Sequence, residues 1–565
     1  MLNRLAMRAR GGVGGALLWA LLLSVVGMPL LLLVAIAFNG GNPTDIPPTQ
    51  LGAGGLVRLA DTNLSWIRNS LVFASSVTVI AIVLGSGLAF LVTRTDIPGR
   101  GLLSVLVILP YPMGSMVAAV AWSVLGAPKS GMINSVFGMM AGRQVEWVNT
   151  YSVPGIIFVE ALVCTPVCFL LVQAALRSMD GTLEESSTVL GAAPIGTALR
   201  ITLPLMLPSI LGAALFTFIT ALSAFAVPSV LGRSLDFRVA TETVYQLMNS
   251  FSPDYPIAAG IGLVLVLVST VLVLIVNRVL RRRSYAVIGG KSRAARPLRL
   301  GRWKPLAMVF GYGYVLLAVV LPLAAITVAS FQRSNRFNLT RLDWTFANFR
   351  YVLFEYPQTR DSVINSITVG VATGVIGVTV ATMVALSVDR QRRTRQGGAA
   401  MEALAMAPQI VPSLILSVTL LWFILILPFR LYGSLGAVLL GFCIVFLPLA
   451  YRGMAGVVSQ VDPSLQEVAR TLGAGPARTT ANITVPLLSN GLVATAVLLF
   501  MMSLNEVGAA IMLSGPNSSV LGPTLYNFYD SGGLSMVSAL AVTQVLIVFV
   551  AITVVRRISG RWLNV

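Results

Sequence analysis

Apolar positions in this chain come in long unbroken runs, separated by short segments where the charges and turn residues collect. A helix needs roughly 20 apolar residues to cross a bilayer core, and it satisfies its own backbone groups there. Twelve such runs are present. The first six lie near 14–38, 69–93, 102–125, 152–177, 205–231 and 256–278. The second six lie near 305–331, 363–388, 399–426, 432–451, 487–514 and 534–556. The first run follows Arg4, Arg8 and Arg10 but is too long for the apolar region of a signal peptide, so it is read as a span. The pattern predicts an all-α polytopic membrane protein with about twelve transmembrane helices.

The chain repeats itself, and this changes the reading. Setting Asp180 against Asp462 aligns D-G-T-L-E-E-S-S-T-V-L-G-A-A-P-I-G-T-A-L-R-I-T-L-P-L with D-P-S-L-Q-E-V-A-R-T-L-G-A-G-P-A-R-T-T-A-N-I-T-V-P-L, with 12 of 26 positions identical. A weaker match pairs Asn69-Ser70 with Asn365-Ser366. Six helices per copy is an even number, so the two copies run in the same direction, as parallel repeats about an axis along the membrane normal. The division is a first unit over 1–285, a basic linker over 279–303 and a second unit over 304–565.

Charge then sets the orientation. The chain carries 39 Lys+Arg against 20 Asp+Glu, a net +19, with only 10% charged residues against about 25% in soluble domains. With the N-terminus in the cytoplasm, 27 of the 39 basic residues fall in cytoplasmic segments, as the positive-inside rule requires, and both termini are cytoplasmic. The basic excess is therefore loop charge and does not call for nucleic acid.

The repeated loop lies between the fourth and fifth spans of each unit. Thr182 and Ser464 each precede a Glu by three residues, the pattern of a capping box opening a short helix. Gly191 and Gly473 suit its left-handed end, and Pro194 and Pro476 suit the first turn of a second short helix. That second helix is expected to stop before Pro204 and Pro486. About 27 residues of structured polar surface, present twice, point to a docking site.

The pattern E-x-x-x-x-x-G-x-x-P followed by I-T-x-P-L resembles the EAA loop of binding-protein-dependent ABC importer permeases. The namesake triplet is replaced by Glu185-Ser186-Ser187 and Glu467-Val468-Ala469, while the Glu and the Gly six residues on are kept. The resemblance implies coupling helices carrying Glu185, Gly191, Pro194, Glu467, Gly473 and Pro476. It implies as partners two cytoplasmic ABC ATPase subunits and an extracytoplasmic solute-binding protein, with the chain in the lipid of a bacterial inner membrane. Two fused units joined by a basic linker resemble the iron(III)-type permeases, as do A-F-A-V-P-S-V-L-G at 224–232, T-E-T-V-Y-Q-L at 241–247 and S-L-N-E-V-G-A-A at 503–510. Permeases for 2-aminoethylphosphonate, thiamine and polyamines share much of this pattern. A secondary transporter of major-facilitator type also has twelve helices in parallel halves, but it would give the duplicated loop no role.

The chain is not expected to be an enzyme. It has no His, its 3 Cys form no metal pattern, and Gly290-Lys291-Ser292 lacks the first Gly of a P-loop. No cofactor is implied, and ATP hydrolysis belongs to separate subunits. Cys164 and Cys168 are read as small buried residues. Two carboxyls fall inside spans, where such groups line cavities or find partners. Glu506, beside Asn505 in the fifth helix of the second unit, is either a wall residue of the path or a carboxyl bonded to neighbouring hydroxyls. Glu160 is read as the bonded kind. Tyr111, between Pro110 and Pro112, sits where a helix must kink and is a candidate path residue.

Overall fold

The computed structural model describes residues 15–282, 297–333, 343–393, 398–462, 464, 468–469 and 471–559. Every regular element among them is helical. The principal helices of the first half are α1 (Gly15–Ala37), α2 (Ser65–Arg94), α3 (Arg100–Met113), α4 (Ser115–Gly126), α5 (Val153–Ser178), α6 (Thr182–Val189), α7 (Ala198–Leu222), α8 (Ala226–Leu231), α9 (Ala240–Met248) and α10 (Tyr255–Arg282). In the second half they are α11 (Gly301–Ser330), α12 (Pro357–Arg393), α13 (Ala399–Ile410), α14 (Ser413–Ile426), α15 (Leu435–Val445), α16 (Leu447–Val458), α17 (Thr480–Asn505), α18 (Gly508–Leu513), α19 (Leu521–Asp530) and α20 (Leu534–Ser559).

Among the described residues nine helices are long and apolar enough to cross a membrane, and three bent pairs bring the number to twelve. Side chains such as Leu17, Leu31, Val79, Val83, Leu267, Val309, Val375 and Val550 are exposed, as lipid-facing apolar residues should be.

Three of the expected spans are not straight. The run 102–125 is α3 and α4 meeting at 97°, and 399–426 is α13 and α14 meeting at 109°. The run 432–451 is α15 and α16, bent by 52°. In the first case Gly114, at φ +82°, turns the chain. The prolines interrupt the helix as well: its first stretch ends at Ile108, Leu109 is a turn residue, and the four-residue stretch Pro110–Met113 opens on Pro110, where a missing N–H is harmless. The runs 205–231 and 487–514 end as helices at Leu222 and Asn505, and each then breaks into a separate short helix, α8 or α18. Hydropathy continues across all these breaks because the broken segments are themselves apolar.

The repeat is visible in specific contacts. Asn69 Nδ2 donates to Arg238 O at 3.1 Å, and Ser70 Oγ accepts from Ala240 N at 2.8 Å. Asn365 Nδ2 donates to Ser519 O at 3.0 Å, and Ser366 Oγ accepts from Leu521 N at 2.7 Å. Each Asn-Ser pair thus moors the helix before the last span of its half. The halves also interlock: α1 packs on α14, and the end of α11 packs on α4. Tyr314 Oη of α11 donates to Leu162 O of α5 at 3.0 Å. Close approach of α12 and α17 depends on Gly374, where a Cβ would stand 2.8 Å from Ala496 O.

The described end of the linker is tied to the first half. Leu298 N donates to Arg94 O at 2.8 Å, and Asp96 Oδ1 accepts from Leu300 N at 2.9 Å. That bond and the neighbouring Lys304 hold the Asp96 carboxyl below its ordinary range.

Candidate functional site

The first repeated loop begins on an Asx turn. Asp180 Oδ1 accepts from Thr182 N at 3.1 Å, and in the second copy Asp462 Oδ1 accepts from Ser464 N at 2.9 Å, which lowers the Asp462 carboxyl. This replaces the expected capping box in the first copy: Gly181 is the N-cap and no side chain caps it. Thr182 is already the first helical residue, so its hydroxyl is too far along the helix to reach the orphan N–H groups. The shared Asp at the start of both copies was the available signal.

The loop's turn is built on glycine. Gly191 has φ +83° and Gly473 φ +85°, and a Cβ at either would meet open space. Ala192 N donates to Ser187 O at 3.1 Å, and Ala474 N to Ala469 O at 3.0 Å, the wrap-around bond of a Schellman end. Pro194 and Pro476 open the turns Pro194–Thr197 and Pro476–Thr479. The second short helix does not stop before Pro204 or Pro486, as the sequence suggested. It continues into α7 and α17 through π-turns at Ala198–Thr202 and Thr480–Thr484. There Leu203 N reaches back to Ala198 O and Val485 N to Thr480 O, a local widening that absorbs the missing proline N–H.

Glu185 is half-buried, and the residue beside it, Glu184, carries the loop's anchoring contacts. Glu184 Oε2 lies 3.1 Å from Arg94 Nε, and its Oε1 accepts from Thr202 Oγ1 at 2.7 Å. Ser187 and Thr197 share a 2.9 Å hydroxyl bond that ties α6 to the following turn. Glu467 lies outside the described residues. Beyond this anchor the loops present bare apolar side chains: Val189 is 87% and Leu190 86% exposed in one copy, and Leu472 82% in the other.

Residues of the two halves line an open cavity of about 180 Å³. Tyr111, Asn505 and Glu506 all line it, and so does Glu160. Glu506 is not inside the fifth helix. It is the extended residue that ends α17, at the break before α18, with ψ 118°. Its Oε1 accepts from Ser413 Oγ and from Ala509 N, each at 2.9 Å. Glu160 is buried, 3% exposed; its Oε1 accepts from the Cys164 thiol at 3.8 Å and not from a helix hydroxyl, and its buried Oε2 has no hydrogen-bond partner among the described residues. Asn505 bridges the halves, donating to Pro112 O at 2.9 Å and Met501 O at 3.0 Å and accepting from Gln544 Nε2 at 2.7 Å. Both of its amide N–H groups are committed. Cys168 bonds Thr217 Oγ1 at 3.0 Å, and no metal-ligating group of three forms among the described residues.

At the end away from the repeated loops, residues of both halves meet. Phe225, Tyr245 and Tyr526 form an aromatic cluster with ring centroids 5.1 to 5.7 Å apart. Tyr151 and Tyr529 share a 2.8 Å hydroxyl bond, and Arg233 pairs with Asp530. Beside them Glu242 is 6% exposed, and burial pushes its carboxyl up to about 7 against the pull of Arg238 and Arg233. Glu242 was not among the residues singled out from sequence, because it sits on the short amphipathic α9 and not within an apolar run.

The profile of the family described as binding-protein-dependent transport system inner membrane component matches this chain twice, over residues 78–285 and 374–564. The chain belongs to that family. It is a fused, two-unit ABC importer permease of a multi-pass inner membrane system, and the major-facilitator reading falls away. The permease is 27% identical over 511 residues to the Probable ABC transporter permease protein y4fN of Sinorhizobium fredii, covering 88% of this chain and 86% of the relative. It is 25% identical over 507 residues to the ferric transport system permease protein FbpB of Actinobacillus pleuropneumoniae, covering 88% and 70%. A solved bacterial ABC transporter involved in alginate import covers 50% of the permease and 99% of that chain at 21% identity, with a TM-score of 0.40.

Proposed function

We propose that this permease carries iron(III), delivered to its outer mouth by an extracytoplasmic binding protein and driven by two separate ATPase subunits. The similarity to a ferric permease over 88% of the chain carries the choice of cargo. Glu506, a carboxyl on the wall of the central cavity, is chemically suited to it, since hard cations take oxygen ligands.

In this reading the loops around Gly191 and Gly473 face the cytoplasm and receive the ATPases, one per half. Their exposed Val189, Leu190 and Leu472 supply apolar contact, half-buried Glu185 lies beside it in the first loop, and Glu467 is assigned the same role by the repeat. The termini are cytoplasmic, as the 27 of 39 basic residues on that side favour. The units run over 1–285 and 304–565, and the linker fuses them so that one chain meets two ATPases. ATP-driven closure of the ATPases pushes on the loops and separates the aromatic contacts at the opposite end. Pro194 and Pro476 transmit the push, because each opens a turn continuous with a spanning helix.

The test is uptake of radioactive iron under iron limitation by a strain deleted for this permease, beside uptake of 2-aminoethylphosphonate. Loss of iron uptake with restoration by the gene supports the reading. Iron uptake equal to the parent strain's overturns it.

A further inference from the structure

At the end away from the repeated loops the two halves of the chain part company. Residues 127–152 separate α4 from α5, whereas in the second half only 427–434 separate α14 from α15. α4 runs back along α5. Ser115 lines the central cavity with Val163 and Val167, Trp122 meets the Phe158 ring edge-on with centroids 5.1 Å apart, and Gly126 O accepts from Thr150 N at 3.0 Å. Thr150 Oγ1 closes the base of the segment by donating to Trp122 O at 3.0 Å, and Ser152 then caps the first turn of α5. The longer segment therefore starts and ends level with the point where a spanning helix begins, which is a membrane boundary.

The helix in this segment, Met132–Ala141, is inside out. Asn134 is buried and makes the internal polar contacts: its Nδ2 donates to Val148 O at 2.6 Å and to Ala127 O at 3.1 Å, and its Oδ1 accepts from Val148 N at 3.0 Å. Outward the helix shows Val136, Phe137, Met139 and Met140, the last 80% exposed, and exposed Trp147 lies beside Phe137 with ring centroids 5.0 Å apart. No polar side chain interrupts V-F-G-M-M-A at 136–141. Water against such a surface is unfavourable by about 25 cal/mol for each Å² of apolar area. A protein partner that docks and leaves would wet the patch on every cycle, and surfaces of that kind are about as polar as the rest of a protein. Lipid covers it continuously.

Two further observations favour lipid. α4 packs on the end of α11, and α11 exposes Val309, Leu316 and Val320, so the segment adjoins a lipid-facing span. Exposed Lys129 and Arg143 flank the helix, one at each end, against a single carboxylate in the segment, Glu146. Basic residues and Trp beside an apolar helix suit the phosphates and the polar–apolar boundary of the headgroup layer. We propose that residues 127–152 form an interfacial anchor, with the helix Met132–Ala141 seated at the headgroup–acyl boundary of the phospholipid leaflet opposite the repeated loops. The anchor ends on Tyr151, whose hydroxyl meets Tyr529 of the other half, so lipid holds the first half's side of that contact.

The experiment uses the full-length permease in nanodiscs of phosphatidylcholine and phosphatidylglycerol, without ATPase or binding protein. Met140→Cys carries an NBD fluorophore. Cys164 and Cys168 are buried, Cys443→Ser removes the third thiol, and Val79→Cys on the exposed side of α2 is the mid-membrane reference. A phospholipid with a nitroxide high on its acyl chain should quench the label at 140 at least twice as strongly as one with the nitroxide at the chain end, the reverse of the order at 79. Iodide in the water should quench the label at 140 at least fivefold less than it quenches free dye. Iodide quenching within twofold of free dye overturns the proposal. So does quenching at 140 that follows the same depth order as at 79, which would place the helix inside the bilayer. Protection from iodide that appears only when a binding protein is added also overturns it, and makes the patch a protein docking surface. Elution as a single species checks the fold; should Met140→Cys fail that check, Met139→Cys, exposed on the same helix, decides by the same criteria.

Discussion

Replacing Gly473 by valine perturbs one backbone angle and nothing else. At φ +85° a β-branched residue is strained, and among the described residues no atom other than those of its chain neighbours lies within 4 Å of the Cβ position, so there is no clash to confuse the result. The left-handed region costs an L-residue about 1–2 kcal/mol. The loop either bears this strain or moves φ to negative values. In the second case the Ala474 N to Ala469 O bond breaks and the turn at Pro476–Thr479 swings away from its helix partner. Either way about 1–2 kcal/mol is withdrawn from the docked geometry, a factor of roughly 5–30 in its population. Gly191→Val does the same in the first copy, at φ +83° in open space. The assay is ATP hydrolysis and substrate uptake together, in proteoliposomes containing the ATPase and binding-protein partners. The double variant should lose most uptake per ATP hydrolysed. Gly475→Val is the control: its Cβ also meets open space, its φ is not positive, and uptake should hold. Hydrolysis and uptake both unchanged in the Gly191/Gly473 double variant, with an unaltered unfolding midpoint, would refute the reasoning.

Arg94→Ala leaves the Glu184 carboxylate in a largely buried site without its cation, and breaking such a pair costs about 3 kcal/mol. Limited proteolysis should then cut within 182–197 faster than in the unaltered permease. Glu242→Gln should flatten the pH dependence of the unfolding midpoint. With its pKa raised from 4.5 to about 7, the folded chain holds a proton that the unfolded chain releases, so Glu242 lowers stability progressively as pH rises from about 4.5 to about 7. A midpoint–pH slope equal to that of the unaltered chain would count against this. Gly374→Val drives a side chain into Ala496 O, and overpacking of this kind costs about 1–3 kcal/mol; the yield of folded protein in detergent should fall.

Sequence alone determined the all-helical membrane class, the duplication and the two loops, because each leaves a local record. A span needs a run of apolar residues, a left-handed turn needs a glycine, and a repeat needs only comparison of the chain with itself. The Asn-Ser pairs at 69–70 and 365–366 were legible in the same way, although their task of mooring α9 and α19 was not. Tertiary structure decided what hydropathy cannot encode. The turn at Gly114 and the break after Asn505 lie inside apolar runs whose direction changes while their composition does not. The selection of Glu184 as the anchor depended on Arg94 at the end of another helix. Glu160 and Glu506 looked like two separate buried acids. They share a cavity because helices from opposite halves bring them there, and a juxtaposition between distant segments leaves no periodicity or spacing in the chain to read.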